Sequence, residues 1–270
     1  MIGDITIGQY FPGNSLIHRI DPRMKTVLIF IMMLAVFFCQ NYISMGIALA
    51  VTLLVVLVSK IKLTVILKGM KPILFIVIFT TLLNLFYGTG EPIFHFGIIK
   101  ITQNGINNAV FMALRILILV VTGLMLTYTT TPTQLTDAIE SLLKPLKVFK
   151  LDIHSLAMTM TIALRFIPIL VEEVDKIMAA QKSRGADMES GGIIKRAKAI
   201  VPVLIPLFIS SFRRANELAD AMECRCYRGG EGRTKMNVSH MSAIDYISLA
   251  FVVAYFAGVI LLMIFTKSVI

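Results

Sequence analysis

The chain of 270 residues is far more apolar than a water-soluble protein. Hydrophobic residues make up 57% of it, charged residues 16%, and its mean hydropathy is +0.82, whereas a soluble domain carries about 25% charged residues. The formal net charge of +10 could suggest nucleic acid as a partner. No nucleic-acid motif occurs, however, and the positive-inside bias together with anionic lipid explains the charge. The composition therefore indicates an integral membrane protein.

Long apolar segments with helical periodicity favour a helical bundle over an outer-membrane barrel. About two thirds of the charged residues lie between Thr129 and Ser242. We therefore predict an all-α polytopic membrane protein with about five transmembrane helices. Its cytosolic or interfacial domain is expected to contain about three helices, two of them long. The predicted domains are a membrane domain of four helices at 1–128, the cytosolic or interfacial domain at 129–242, and a last transmembrane helix at 243–270.

The order of spans and basic clusters gives the topology. Asp21 and Pro22 suit the N-cap and first position of a helix, and basic residues before the first span and after the second place the N-terminus in the cytoplasm. Five crossings then put the C-terminus outside, with Pro72 starting the third. The predicted spans are 26–40, 42–59, 72–87, 107–128 and 244–265.

Arg115 lies inside the fourth predicted span, where a charge is costly. Either it reaches the outer interface, or it contacts a partner or joins a buried polar network. The sequence leaves both interpretations open.

The charged region contains three helical patterns. An amphipathic helix is expected at 134–149, bent by Pro145. Two long helices follow, one capped by Asp152 and the other after Gly192, each apolar in its first half and charged in its second. Because spanning by both apolar halves would place a basic segment outside, we predict that both lie along or just beneath the cytoplasmic face. Their predicted bending points are Pro168, Pro202 and Pro206.

An arginine closes each long helix, at Arg184 and Arg225. Residues four and seven positions before each arginine share its helical face, and small neighbours allow close approach of another helix or groove. The guanidinium fork suits carbonyls or carboxylates at a protein interface, although an arginine at a helix C-terminus is also ordinary capping. The predicted motif residues are Ser183, Arg184, Gly185, Cys224, Arg225 and Cys226. The supporting face comprises Ile177, Ala180, Leu218 and Ala221.

The chain lacks recognisable catalytic and metal-binding motifs. It has no GxxxxGK[ST] phosphate loop and no HExxH. Cys224, Cys226 and His240 lack the usual CxxC spacing and a fourth ligand for a metal site. The acids Glu172, Glu173 and Asp175 are interpreted as a solvated helical face. We therefore expect no cofactor and no metal in this chain.

Three stretches resemble the T component of energy-coupling factor (ECF) transporters, the ABC-type importers of vitamins and transition-metal ions. They lie at 16–25, from Leu16-Ile17-His18-Arg19 through Asp21-Pro22-Arg23-Met24-Lys25; at 164–185, around Arg184; and at 219–227, around Arg225. The family motif is usually Ala-Arg-Ser or Ala-Arg-Gly. Ser183 replaces the alanine in the first copy, and Cys224 and Cys226 both depart from it in the second.

The resemblance implies a scaffold that is not itself an enzyme. Its cytosolic region at 129–242 would be a coupling domain in which the two long helices cross. Each arginine motif would dock in a groove of one of two ABC-type ATPase subunits, which would bind the ATP and Mg²⁺. The scaffold would pass ATP-driven motion to a membrane-embedded substrate-binding S component in a bacterial or archaeal cell membrane. In this family the S component selects the vitamin or metal ion.

Two alternatives belong to other functional classes. A self-sufficient secondary transporter would need ionisable residues inside the membrane, and only Arg115 clearly qualifies. A membrane-embedded enzyme would need acids or histidines clustered near one interface. Transport by the purified chain alone would indicate the first alternative, and bound metal the second.

Overall fold

A computed structural model of the chain describes residues 10–86, 92–96, 99–149, 152–186, 192–229 and 241–265. Within these ranges the chain is almost entirely helical. The helices are α1 (Leu16–Arg19), α2 (Pro22–Phe37), α3 (Tyr42–Ser59), α4 (Leu63–Phe86), α5 (Gln103–Thr129), α6 (Pro132–Leu143), α7 (Ile153–Ser183), α8 (Ile193–Cys224) and α9 (Ala243–Phe265), with a 3-10 helix at Lys144–Phe149.

The predicted all-α membrane fold is confirmed. Five described helices are long and apolar enough to cross a membrane by length and composition: α3, α4, α5, α7 and α9. This set includes α7, which the sequence analysis placed at the cytoplasmic face, and it omits α2. With 16 residues, α2 is about 24 Å long, shorter than the roughly 30 Å hydrocarbon core. The orientation of α7 to the bilayer stays a prediction.

A small hairpin was not predicted. Strands β1 (Pro92–Phe96) and β2 (Ile99–Thr102) pair antiparallel, with Phe96 opposite Ile99, in the segment that connects α4 to α5. The predicted spans 72–87 and 107–128 leave this segment between them without an assigned structure. The side chain of Thr102 then caps α5 by accepting a hydrogen bond from the backbone N–H of Gly105.

The predicted start of the third span was wrong. Helix α4 begins at Leu63, and Pro72 lies inside it, although an interior proline removes one backbone hydrogen bond at a cost of about 3 kcal/mol. Tertiary packing holds the segment before the proline in place. At Gly69 the α4 backbone lies so close to Tyr128 of α5 that a Cβ atom would overlap the tyrosine hydroxyl.

One compact unit comprises residues 8–138 and 238–270. Its core is built where α2, α3, α5 and α9 meet, from residues such as Ala35, Met45, Phe111, Ile118 and Val259. Other large apolar side chains remain on the surface, among them Phe75 at 77% exposure. An apolar surface of this kind suits contact with lipid or with other membrane-embedded chains.

The second unit comprises residues 1–7 and 139–237, of which 1–7 lie outside the described residues. The α-helical geometry of α6 ends at Leu143, and the 3-10 helix that follows contains Pro145, where the sequence predicted a bend. His154 of α7 lies against Glu140 of α6, with 3.4 Å between Nδ1 and Oε1. The division into membrane and coupling domains stays a prediction.

Candidate functional site: two arginine-bearing helix ends

The first motif ends a helix with a well-formed start. The carboxylate of Asp152 accepts a hydrogen bond from the backbone N–H of Ser155 at 3.1 Å and another from the Ser155 hydroxyl, as predicted for the N-cap of α7. These two bonds lower the pKa of the Asp152 carboxyl. Protonation at acidic pH would therefore remove the cap.

Helix α7 ends in a Schellman motif with Arg184 at the C-cap. The backbone N–H of Gly185 donates to Lys182 at 3.0 Å, and the N–H of Ala186 donates to Gln181 at 3.0 Å. Gly185 adopts φ = 84°, the left-handed conformation that this motif requires and that glycine adopts without steric cost.

Helix α8 ends in the same way, with Arg225 at the equivalent position. The N–H of Cys226 donates to Glu223 at 2.8 Å, and the N–H of Tyr227 donates to Met222 at 3.0 Å. Cys226 takes the place of Gly185 and adopts φ = 59°, which costs a residue with a Cβ atom about 1–2 kcal/mol. The second motif thus keeps the geometry of the first at a higher conformational cost.

Both arginines are presented to solvent. Their side chains are exposed, and among the described residues neither guanidinium makes a hydrogen bond or an ion pair. Neither guanidinium takes part in closing its own helix end. Their guanidinium donors therefore remain available for carbonyl or carboxylate groups of another molecule.

The predicted supporting faces have the same pattern of exposure on both helices. Ala180 and Ala221 are exposed, whereas Ile177 and Leu218 are half-buried. Each arginine is thus preceded by an exposed small residue that leaves room for a close neighbour. Their role as a supporting face stays a prediction.

The thiols of the second motif are free. Cys224 and Cys226 are both exposed and unbonded, while the Ser183 hydroxyl of the first motif donates to the Ala179 carbonyl at 3.1 Å. Within the described ranges no three His, Cys, Asp or Glu residues come together as a metal site. His240 lies outside those ranges.

Glu173 links the two long helices, which the sequence analysis did not predict. Its carboxylate accepts a hydrogen bond from Arg214 Nη2 at 2.6 Å and one from the Ser210 hydroxyl at 3.2 Å. The interpretation of Glu173 as part of a solvated face was therefore wrong. The contact was missed because both partners are distant from Glu173 in the sequence. An equal spacing could have revealed it, since Glu173 precedes Arg184 by as many residues as Arg214 precedes Arg225.

The three predicted bending points lie inside continuous helices. Pro168 is in α7, and Pro202 and Pro206 are in α8. Pro168 and Pro202 are exposed, and Pro206 is half-buried. Their role in bending stays a prediction.

Two charged residues of the N-terminal motif, Asp21 and Lys25, are buried, in contrast to the arginines. Asp21 caps α2 and donates its own backbone N–H to the Asp245 carboxylate at 2.8 Å. Lys25 donates from Nζ to the Thr129 carbonyl at 2.9 Å. Asp21 and Asp245 lie at the N-terminal ends of α2 and α9, and the ammonium group of Lys25 lies at the C-terminal end of α5. Each charge therefore complements the dipole of a helix.

Asp245 was not singled out from the sequence. It is 1% exposed and also accepts hydrogen bonds from the backbone N–H and the hydroxyl of Ser242. An acid in the first turn of an apolar helix was the available signal. Asp21, Lys25 and Asp245 together form what we call the buried charge network.

Arg115 is half-buried and contacts the connection between α2 and α3. Its Nη2 donates to the carbonyl of Cys39 at 2.7 Å, just beyond the end of α2, where a cation is favourable. This contact is compatible with both interpretations of Arg115, which stay predictions. The bond also stabilises contact between α5 and the end of α2.

Comparison with known proteins identifies the family. The family model described as "CbiQ: Cobalt transport protein" matches residues 13–236. The chain is 53% identical to the energy-coupling factor transporter transmembrane protein EcfT of Ruminiclostridium cellulolyticum, over 97% of this chain and 98% of that protein. The chain belongs to this family.

Two further EcfT proteins are also similar to this chain over most of their length. Identity is 50% with EcfT of Clostridium kluyveri, over 92% of this chain and 93% of that protein, and 48% with EcfT of Bacillus subtilis, over 87% and 89%. The predicted resemblance is therefore confirmed. The chain is a multi-pass cell-membrane protein, the transmembrane component of an energy-coupling factor transporter.

Proposed function

We propose that this chain couples two cytosolic ABC-type ATPases to a membrane-embedded S component that imports a vitamin or a metal ion. ATP and Mg²⁺ are bound and ATP is hydrolysed by the ATPases, and this chain carries no catalytic residue or cofactor. Its tasks are to hold the partners together and to transmit movement.

The observation that carries the proposal is the pair of matched helix ends. Arg184 and Arg225 are each the C-cap residue of a Schellman motif. Both are exposed, and neither guanidinium has a partner within the described part of the chain. Two equivalent docking elements suit two related ATPase subunits. An arginine side chain that caps its own helix would donate hydrogen bonds to the last carbonyls of that helix, and neither guanidinium does so.

In the proposed mechanism, ATP binding draws the two ATPases together and changes the separation of the docked helix ends. The movement passes into the apolar halves of α7 and α8, which bend at Pro168, Pro202 and Pro206. The exposed apolar side chains of α8 before Arg213, such as Leu204, Ile205 and Phe208, then move against the S component. The S component reorients and releases its substrate.

The proposed topology places the N-terminus in the cytoplasm and the C-terminus outside. Lys60, Lys62, Lys68 and Lys71 are all exposed around the connection from α3 to α4, as expected for a cytosolic segment. The proposal places the two arginine motifs in the cytoplasm as well. This arrangement gives cytosolic ATPases access to both.

A tagged chain purified from its native membrane in mild detergent tests the proposal. Mass spectrometry should find two ABC-type ATPases and at least one small, very apolar protein in the complex. Several different small proteins would show that the scaffold is shared. Repeated recovery of the folded chain alone, with substrate uptake by that chain in liposomes, would contradict the proposal and favour a secondary transporter.

A further inference from the structure

We infer that Glu173, Ser210 and Arg214 form a clasp that acts as the fulcrum of the two motif helices. The inference rests on the proposed function and assigns positioning residues to it. The clasp holds the two charged arms, 174–183 and 215–224, at a defined mutual geometry. Docking of the ATPases then moves the arms as levers about one fixed point.

The clasp joins both helices through one carboxylate. Each Glu173 oxygen has its own donor, Arg214 Nη2 at 2.6 Å on Oε2 and Ser210 Oγ at 3.2 Å on Oε1. Ser210 and Arg214 lie four residues apart on α8 and thus share one face. Two donors on one face resist sliding of one helix along the other more than a single ion pair does, while the helices can still change their crossing angle about the carboxylate.

The position of the clasp is symmetric with respect to the two motifs. The sequence separation from Glu173 to Arg184 equals that from Arg214 to Arg225, which gives each arm a length of about 16 Å along its axis. Arms of equal length deliver equal displacements to the two ends. This property matches two ATPases that move symmetrically toward each other.

The clasp also separates stiff from deformable parts of the helices. Neither arm contains a proline or a glycine, whereas Pro168, Pro202 and Pro206 all precede the clasp on their helices. Helices bend most readily at proline. A force applied at either arginine is therefore transmitted rigidly to the clasp, and deformation takes place beyond it.

The first test measures the separation of the two helix ends without any partner. Spin labels are attached at Cys224 and at Ser183→Cys in the full chain in lipid nanodiscs, with Cys39→Ala and Cys226→Gly removing the other thiols. Two arms of this length cannot separate the labelled backbones by more than about 35 Å. We expect a narrow distance distribution that widens at least twofold in Glu173→Ala.

Two variants make this test specific. Glu172→Ala alters the exposed neighbouring acid and should leave the distribution narrow. The exchange Glu173→Arg with Arg214→Glu restores an ion pair in the opposite sense and should narrow the distribution again. An unchanged distribution in Glu173→Ala, or no recovery in a folded exchange variant, would overturn the inference.

The second test measures coupling in the complete transporter. Glu173→Ala should still bind both ATPases and sustain ATP hydrolysis, while substrate transported per ATP falls about tenfold, as expected for the loss of a charged hydrogen bond. The exchange variant should recover the ratio. An unchanged ratio would contradict the fulcrum role. Failure of the ATPases to bind the unaltered chain would instead refute the proposed function, and the distance measurement would remain valid.

Discussion

The N-terminal motif and the two arginine motifs use charge in opposite ways. Asp21, Lys25 and Asp245 are buried, and the protein itself supplies their hydrogen-bond partners. Arg184 and Arg225 are exposed, and no described residue bonds to their guanidinium groups. Recognisable sequence motifs of one family can therefore serve either the fold or an interface. Burial of the charged side chains distinguishes the two kinds of motif.

The largest expected effect comes from removing both exposed arginines. The double variant Arg184→Ala and Arg225→Ala should abolish substrate uptake by whole cells, because both proposed ATPase contacts are lost. Its amount in the membrane and its thermal unfolding should not change, since neither side chain supports the fold. Arg213→Ala, which removes another exposed arginine of α8, is the matched control. Undiminished uptake in the double variant would contradict the proposed function.

The buried charge network should show the reverse pattern. Lys25→Met removes the donor to the Thr129 carbonyl and the cation near two buried acids, which should lower the free energy of unfolding by about 2 kcal/mol. We expect less protein in the membrane but normal uptake per folded molecule. Thermal unfolding in detergent, compared with the exposed-site variant Lys60→Met, measures this. A stable Lys25→Met protein that fails to transport would erase the distinction between the two classes of motif.

Gly185→Ala should have a smaller effect. The left-handed conformation at Gly185 costs a residue with a Cβ atom about 1 kcal/mol, and relief of that strain would shift Arg184. Uptake should therefore fall while the unfolding temperature drops slightly. Gly46→Ala, inside α3 with open space around its Cβ position, serves as the control and should not reduce stability. If Gly185→Ala is as stable as the parent, the C-cap assignment is wrong.

Cys226→Gly should have the smallest effect and the opposite sign. Glycine relieves the strain at φ = 59° but adds freedom to the unfolded chain, for a net gain of about 0.5 kcal/mol. Thermal unfolding measures the gain, and uptake should be retained because Arg225 keeps its position. Destabilisation by this substitution would show that the Cys226 side chain has a role beyond the turn.

Local signals made much of the fold predictable. The bounds of α3 and the caps at Asp21 and Asp152 depend on neighbouring residues and were read correctly from the sequence. The helix predicted at 134–149 is α-helical only to Leu143 and continues as a 3-10 helix. The start of α4 was missed because packing of Gly69 against Tyr128 outweighs the local effect of Pro72. Non-local contacts decide such cases.

The candidate site was predictable in its exposed part alone. The repeated spacing around Arg184 and Arg225 is visible in the sequence, whereas the bond from Arg214 to Glu173 joins residues far apart in the chain. The same holds for Asp245, which accepts a hydrogen bond from the backbone N–H of Asp21, near the other end of the sequence. The docking role of the arginines stays a prediction.

Site-specific photocrosslinking tests the central claim most directly. A photoreactive amino acid replaces Ser183 or Cys224, both exposed beside an arginine, in the complete transporter, with Lys68 as an exposed control position. Each motif position should yield an adduct with one ATPase subunit, the two positions should capture different subunits, and Lys68 should yield none. Absence of ATPase adducts at both motif positions in an active complex would contradict the claim that these helix ends are the docking elements.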